Sequence, residues 1–360
     1  MLITVCVIAY NEEKTLEKLL DQICCQDYDH SKMEIVLVNS NSTDSTEDIM
    51  NRFAKGNDKS GFYRVQILQN KKKTLPCGWN VALKSYSGDA ILKIDAHATI
   101  PKDFVRRNVE TLEQGEDIVG GFRPNIIDES TPWKETLLLA ENSMFGSSIA
   151  PYRRNQGKTY VKSMFHATYR REVFDKIGVF NENLGRTEDN EIHFRMREAG
   201  YKLCFVPEII SYQHIRSSFI KMIKQKYANG YWIGLTSGIC PKCLSLYHFI
   251  PFAFVLAIII TTVFSITLEI ADCRIAGLNW LAITSYGITL LMWIAYWLLA
   301  LCMSVVAIIG EKKEQRNITN IALPLLFFVL HISYGIGTLI GVIRMPNWRK
   351  GIKNDANKER

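Results

Sequence analysis

Asp95 and His97 stand two residues apart, directly after the apolar run Ala90-Ile91-Leu92-Lys93-Ile94. A carboxylate and an imidazole so spaced can share one divalent cation, Mn2+ or Mg2+. Such an ion can clamp a diphosphate and stabilise it as a leaving group. The plainer alternative is a strand-end aspartate capping a turn, with the histidine incidental. Thr187-Glu188-Asp189 opens a second charged stretch that includes Glu191, Arg195, Arg197 and Glu198. Acidic residues there would favour the positive end of a helix dipole. One of them could equally be the general base that takes a proton from an attacking hydroxyl. Residues 39–44, Asn-Ser-Asn-Ser-Thr-Asp, either hydrogen-bond a base and a ribose or form an ordinary polar turn. Lys71-Lys72-Lys73 either steer phosphates or stay a solvated loop.

These groups need a frame. Residues 2–8 read as an apolar strand, and 12–24 as a helix with Leu16, Leu19, Leu20 and Ile23 on one side. Strands are expected again at 34–38, 65–68 and 90–94, with helices at 45–55 and 76–85, the latter opened by a proline. That alternation predicts an α/β fold with a parallel sheet. Ligands of such sheets bind beyond the carboxyl ends of the strands. The polar clusters Asn11-Glu12, 39–44 and 95–97 fall just there. No GxGxxG follows the first strand and no GxxxxGK[ST] occurs, which disfavours a dinucleotide dehydrogenase and a P-loop NTPase. After Lys102 the pattern loosens. Strands are expected at 119–122, 164–169 and 203–206, the last stopping at Pro207, and helices at 133–146, 171–177 and 188–200.

The 360 residues carry 43 Lys and Arg against 36 Asp and Glu, a net charge of +7. The basic clusters lie at 71–73, 153–154, 221–226, 312–316 and 344–360. A nucleic-acid binder would gather them on one face with stacking aromatics. Four of the five instead flank hydrophobic or amphipathic segments or a phosphate site. That favours an anionic membrane surface and an anionic substrate over nucleic acid. Cysteine, tyrosine and histidine aside, the ionisable residues between 249 and 343 are Glu269, Asp272, Arg274, Glu311, Lys312, Lys313, Glu314 and Arg316. Spanning helices are expected at 249–268 and 281–309, each long enough for about 30 Å of hydrocarbon. Residues 317–343 carry no formal charge; a third full crossing there would place the basic tail outside, against the positive-inside rule. Pro324, Gly335, Gly337 and Gly341 permit a broken or re-entrant segment instead. Residues 216–235 are amphipathic, with Phe219, Met222, Ile223 and Tyr227 on one side. They form either a surface helix or an interfacial helix against the bilayer. Nine cysteines, several inside apolar runs, suggest reduced thiols, and the lone Cys240-Pro-Lys-Cys243 falls short of the four ligands of a structural zinc. Residues 2–8 read as a strand rather than a signal peptide, so the catalytic part is expected to face the cytosol.

Four segments stand in order: Val7-Ile8-Ala9-Tyr10-Asn11-Glu12-Glu13; Val38-Asn39-Ser40-Asn41-Ser42-Thr43-Asp44-Ser45; Lys93-Ile94-Asp95-Ala96-His97-Ala98; and Gly185-Arg186-Thr187-Glu188-Asp189-Asn190-Glu191. Together they resemble the family 2 glycosyltransferases of GT-A fold. The Asp-Ala-His-Ala form, with Gln213-His214-Ile215-Arg216-Ser217-Ser218 downstream, is most similar to the succinoglycan-type exopolysaccharide glucosyltransferases with membrane segments. The resemblance covers about residues 1–235. It implies a Rossmann-like, mostly parallel mixed sheet in a cytosolic domain, followed by α-helical membrane segments. The expected divisions are 1–215 for the GT-A domain, 216–246 for the interfacial helix and linker, 247–343 for the membrane region and 344–360 for a basic tail.

The resemblance further implies inverting, metal-dependent transfer from a nucleotide-diphosphate sugar, a UDP-sugar, to a saccharide on a polyprenyl diphosphate, in capsule or exopolysaccharide assembly at the cell membrane. Tyr10, Glu12 and Asn39 match donor-binding positions that contact the nucleoside. Asp95 and His97 match the metal and diphosphate site, which in most relatives is Asp-x-Asp. Asp189, beside Glu188, matches the catalytic base. His214 matches a further metal ligand or is a core histidine, and Arg216 would bind diphosphate. Two departures stand out. The family usually has Asp where this chain has Asn39; an amide still accepts from uracil N3–H but adds a donor and loses a charge. Gln225-Lys226-Tyr227-Ala228-Asn229 departs from the Gln-x-x-Arg-Trp of processive synthases, which favours single-sugar addition. Transfer to bare polyprenyl phosphate, a processive synthase and a catalytically silent scaffold are the alternatives; Asn39 and His97 keep the last open.

Overall fold

The computed structural model describes residues 1–146, 157–216, 218–272, 279–310 and 316–358. Of the basic clusters, Arg153, Arg154, Lys312 and Lys313 lie outside them. The strands are β1 (Ile3–Ala9), β2 (Met33–Asn39), β3 (Arg64–Gln69), β4 (Ala90–Asp95), β5 (Ala98–Thr99), β6 (Ile118–Phe122), β7 (Asn125–Ile126), β8 (Thr159–Val161), β9 (Thr168–Arg170), β10 (Leu203–Ile210) and β11 (Tyr212–His214). The helices are α1 (Leu16–Cys24), α2 (Thr46–Lys55), α3 (Asn57–Ser60), α4 (Leu75–Leu83), α5 (Phe104–Glu113), α6 (Pro132–Asn142), α7 (Arg171–Ile177), α8 (Glu188–Glu198), α9 (Phe219–Thr236), α10 (Ile250–Asp272), α11 (Asn279–Gly310) and α12 (Leu323–Lys358). They form two compact units, 1–126 with 150–214 and 127–149 with 215–360.

The first unit is built on an eight-stranded mixed sheet in the order β3-β2-β1-β4-β9-β6-β10-β8. β1 to β4 pair in parallel. β9 lies antiparallel to both β4 and β6, and β10 is parallel to β6. The carboxyl ends of β1, β2, β3, β4, β6 and β10 therefore share one edge. β1 and β2 are buried along their whole length and are largely apolar, with Thr4 Oγ1 donating to the buried Glu34 carboxylate between them. Side chains alternate across the sheet. Leu92 and Ile94 of β4 pack with Leu16, Leu19, Phe104 and Val109 from α1 and α5. Ile91 packs on the opposite face with Trp79, Val173 and Ile192 from α4, α7 and α8. Lys93 and Asp95 alternate with Leu92 and Ile94 and so share the face of Ile91. A small second sheet, β5-β11-β7, follows the same edge.

One strand boundary is corrected here. β10 does not stop at Pro207. It runs to Ile210 with a register shift between Val206 and Ile210, an irregularity of the kind that accommodates a proline in a strand. The segment at 317–343, open between a full crossing and a broken or re-entrant path, forms a 3-10 turn at Ile318–Ala322 and then one helix, α12, from Leu323 to Lys358 through Pro346.

The second unit is helical. Three of its helices, spanning Leu246–Ile270, Ile283–Gly310 and Ile318–Asn354, are long and apolar enough to cross a membrane. α9 packs along α12 through small residues. A side chain on Gly234 would meet Thr338, Gly341 and Val342, and one on Gly341 would meet Tyr231 and Gly234. Only glycine allows so close a backbone approach. Lys226 of α9 and Glu141 of α6 form a buried pair at 2.8 Å. Replacing Gly341 by Leu should force α9 from α12 and lower the melting temperature in detergent by the equivalent of about 1–3 kcal/mol. Gly351→Ala, where nothing lies within 4 Å of the added carbon, should leave it unchanged or slightly raised.

Candidate active site

A lysine in the middle of a buried strand is costly unless its charge is answered. Lys93 is 3% exposed and forms an ion pair with Asp189 Oδ1. Its Nζ also lies 5.2 Å from the Trp79 ring centroid. Burial works against its charge, but Asp189, Glu188 and Asp95 more than restore it and raise its pKa. Asp189 sits in the first turn of α8, among Glu188 and Glu191, where the helix dipole favours acids. Burial raises the pKa of Asp189, and Lys93 offsets part of that rise. Glu188 has no such partner at Oε2, and burial with the neighbouring Asp189 raises its pKa to about 8. One turn on, His193 Nε2 lies 2.8 Å from the Tyr169 hydroxyl and Nδ1 lies 3.1 Å from Ser163 Oγ. Burial first, then Lys93 and Arg197, lower its pKa to about 3, so the ring is neutral.

At the end of β4, Asp95 Oδ2 accepts from Arg123 Nη2 at 2.8 Å. His166 Nε2 lies 3.3 Å from both that oxygen and the backbone nitrogen of Asp95. His166 Nδ1 is 2.8 Å from Ser211 Oγ, which ties β4 to the end of β10. Burial penalises the charge on Asp95, but His166, Arg123 and His97 outweigh it and hold the carboxyl well below its ordinary value. Burial and Arg123 lower His166 to about 4. His97 Nδ1 lies 3.0 Å from Glu12 Oε1, and that hydrogen bond raises its pKa against burial. Glu12 is itself held through Thr15 Oγ1 at 2.7 Å and through its backbone N–H to Thr46 Oγ1 at 2.8 Å.

The strand ends beyond β1 and β2 are tied together. Asn11 N–H donates to Ser42 Oγ, and Thr43 N–H donates to Asn11 Oδ1. Among the described residues the non-glycine positions with positive φ are Asn11, Asn41 and Lys73, at 55°, 57° and 62°. Each lies in the turn after β1, β2 or β3, and strain of this kind gathers at binding edges. Tyr10 is 47% exposed there, with Lys73 Nζ 5.7 Å from its ring centroid. Asn39 is buried. Its Oδ1 accepts from Ser42 N–H at 3.0 Å and its Nδ2 donates to Glu47 Oε2 at 3.0 Å. Gln69 Nε2 donates to Glu47 Oε1 at 2.7 Å.

The structure thus brings Tyr10, Glu12, Asn39, Asp95 and His97 to one sheet edge, with Glu188 and Asp189 beneath it through Lys93. The antiparallel register of β11 with β5, Gln213 opposite Ala98, carries His214 opposite His97. His214 Nε2 is 2.9 Å from Thr99 Oγ1. Arg216 is exposed and belongs to the helical unit. Among the described residues no three His, Cys, Asp or Glu side chains converge as a ready cation site. Mg2+ and similar ions are commonly held by one or two protein groups plus substrate phosphates. Asp95 Oδ1 and His97 Nε2, the latter ring oriented by a carboxylate at its other nitrogen, fit that use.

Residues 4–178 match glycosyl transferase family 2. Those residues form a family 2 glycosyltransferase domain. A solved mannosyltransferase of Pyrobaculum calidifontis, PcManGT in complex with GDP-Man and Mn2+, superposes with a TM-score of 0.54 over 94% of this chain and 87% of its own, at 18% identity. The fold of the glycosyltransferase is of GT-A type, a mostly parallel mixed sheet with apolar helices after it. The dolichyl N-acetyl-α-D-glucosaminyl phosphate 3-β-D-2,3-diacetamido-2,3-dideoxy-β-D-glucuronosyltransferase of Methanococcus voltae is 26% identical, over 95% of this chain and 97% of its own length. Succinoglycan biosynthesis protein ExoA of Rhizobium meliloti is 29% identical, over 54% of this chain and 58% of its own.

Lys93, Arg123, His166, His193 and Glu47 were not singled out from the sequence. Lys93 alone left a signal, a cation inside an apolar run that must find a carboxylate. The others are placed by tertiary contacts. Two outcomes follow for the glycosyltransferase. Asn39→Asp would set a second carboxylate against Glu47 and should cost about 1.5–3 kcal/mol, a lost hydrogen bond to a charged group. Adding Glu47→Gln should restore most of it, as read by thermal melting of the two single variants and the double variant. Glu188 ionises near 4.5 when unfolded and about 8 when folded, so the folded chain holds the extra proton and stability falls as pH rises through that window. Glu188→Gln should therefore melt higher than the parent at pH 8, the gap closing towards pH 4.5.

Proposed function

We propose that the protein is an inverting glycosyltransferase of the cell membrane, moving one sugar from a nucleotide-diphosphate donor, a UDP-sugar, to a lipid-linked saccharide in exopolysaccharide or capsule assembly. The reading rests chiefly on β4. Lys93 and Asp95 share one face of that strand, so the residue that holds the base and the residue that meets the diphosphate move as one rigid piece. The alignment with an enzyme named for a dolichyl-linked sugar phosphate, over nearly the whole chain, supports the lipid-linked acceptor.

In this reading residues 1–215 are the catalytic domain and face the cytosol, 216–246 the interfacial segment, 247–343 the membrane region and 344–360 the basic tail. Tyr10 offers a ring for the base, and Asn39 shapes the turn that surrounds the nucleoside. Glu12 fixes His97. Asp95 and His97, with His214 next to them in register, would hold a divalent cation, Mn2+ or Mg2+. When bound, that ion neutralises charge on the departing diphosphate. Arg216 would add a cation for the same anion. Asp189, paired with Lys93, accepts the proton of the acceptor hydroxyl as its oxygen bonds to the anomeric carbon. The nucleoside diphosphate leaves from the opposite face, so configuration inverts.

The test is a screen of nucleotide sugars for thermal stabilisation of the full chain in detergent, with and without Mn2+, followed by turnover on a lipid-linked saccharide. Asp189→Asn should keep donor-induced stabilisation and lose about 10²–10⁴ in kcat. Turnover at the parental rate would remove Asp189 as the base. Lys93→Met takes away the charge that lowers the Asp189 pKa, so the acidic limb of the kcat–pH profile should move to higher pH. An unmoved limb would show that Lys93 does not tune the base.

A further inference from the structure

The three apolar helices of the second unit differ in what covers them. Of their most apolar windows, 11% of residues are buried in the first, 17% in the second and 39% in the third. α10 and α11 form an antiparallel hairpin, with Ser265 Oγ 2.6 Å from Ser285 Oγ and Phe254 stacked on Tyr296 at 4.4 Å between centroids. Its outer surface is bare and apolar: Ile260, Phe264, Ile283 and Leu291 are all exposed. At 23 residues, α10 is about 34 Å long, enough for the hydrocarbon core.

α12 meets this hairpin low down. Gly335, near its middle, packs on Pro251 and Val255, in the first turns of α10. His331 Nδ1 lies 3.1 Å from the Tyr296 hydroxyl, and Phe328 packs on Trp293 and Trp297 of α11, at the level of Phe254 in the first turns of α10. Beyond Gly335 the partner of α12 is α9. Gly337 faces Tyr227, Gly341 faces Tyr231, and Gly238, just past α9, faces Met345, so the two helices run in parallel. The first turns of α12 and the residues before them are covered by α6, where Thr136 Oγ1 is 2.7 Å from Asn320 Oδ1.

These companions are not built for lipid. α9 exposes Lys221 and Lys224, and the segment before α6 exposes Glu129. The irregular stretch 237–245, with Pro241 and Lys242, lies between α9 and α10. If α12 crossed the bilayer it would carry α9 in beside it. The two lysines would then face hydrocarbon, and backbone outside any α-helix would lie where no water can satisfy it. A helix at the headgroup level meets neither cost.

We infer that the chain crosses the membrane twice, by α10 and α11 alone. α12 lies with α9 in the headgroup layer of the anionic inner leaflet, where the exposed Lys221, Lys224, Arg344, Arg349, Lys350 and Lys353 meet lipid phosphates. An even number of crossings keeps the basic tail on the side where basic residues are retained. The inference does not depend on the sugar, the acceptor or the catalytic roles assigned above.

The experiment places epitope tags at both ends of the 360-residue chain and treats sealed inverted membrane vesicles with external protease. Two crossings predict that both tags are digested at the same rate before detergent is added, and that both are protected in right-side-out vesicles. Digestion of one tag with protection of the other, in either preparation, would establish a third crossing and overturn the proposal.

Discussion

A cation with no water around it has to be met by an anion, and that requirement at Lys93 organises the catalytic unit. The residue lies within β4, between apolar neighbours that bury it from both sides. Its only routes to charge balance are the groups that reach its face of the sheet. Asp189 answers it, which fixes the start of α8 against β4. Glu188 comes along in the same helical turn but without a matching cation, and so is driven towards its neutral form. Burial raises both adjacent carboxyls, Glu188 to about 8, while Lys93 offsets part of the rise at Asp189.

The same strand ends in a network that is just as constrained. Asp95 is held by Arg123 from the end of β6 and by His166 before β9, and His166 is fixed in turn by Ser211 after β10. Four strand ends are therefore coupled through one carboxylate. On the other side of β4, the turns after β1, β2 and β3 all adopt left-handed backbone at a side-chain-bearing residue. Such turns expose backbone and side-chain donors to a ligand, at a cost the buried strands behind them can bear. A rigid half that holds charge and a strained half that presents hydrogen bonds is a division suited to a nucleotide with a diphosphate at one end.

How far the sequence disclosed this depends on element type. β1 to β4, α2 and α4 are legible within one or two residues, and α1 starts four residues later than expected, because the strands of the parallel sheet are rich in apolar residues and α1 and α2 each have one apolar side. The second half resists for physical reasons. β9 is a three-residue antiparallel strand inserted between β4 and β6, and β5, β7 and β11 are two or three residues long, too short for periodicity to register. Pro207 reads as a stop only if the strand is assumed regular. The polar clusters at 11–12, 39–44 and 95–97 were visible as a set because a parallel sheet gathers alternate loops at one edge. Arg123 and His166 were not, since nothing local distinguishes them from a surface arginine and a buried histidine.

The membrane helices expose a different limit. Hydropathy sums what each side chain would prefer, and by that measure α12 resembles α10 and α11. It does not register what each helix is packed against. Gly335, Gly337 and Gly341 look like points of weakness in an isolated segment, yet they bring two other helices into contact with an unbroken one. Those partners bring lysines and irregular backbone with them, and a helix cannot enter hydrocarbon while its tightly packed neighbours must stay out. The number of crossings is thus set by the least lipophilic member of a packed group rather than by the most apolar stretch within it.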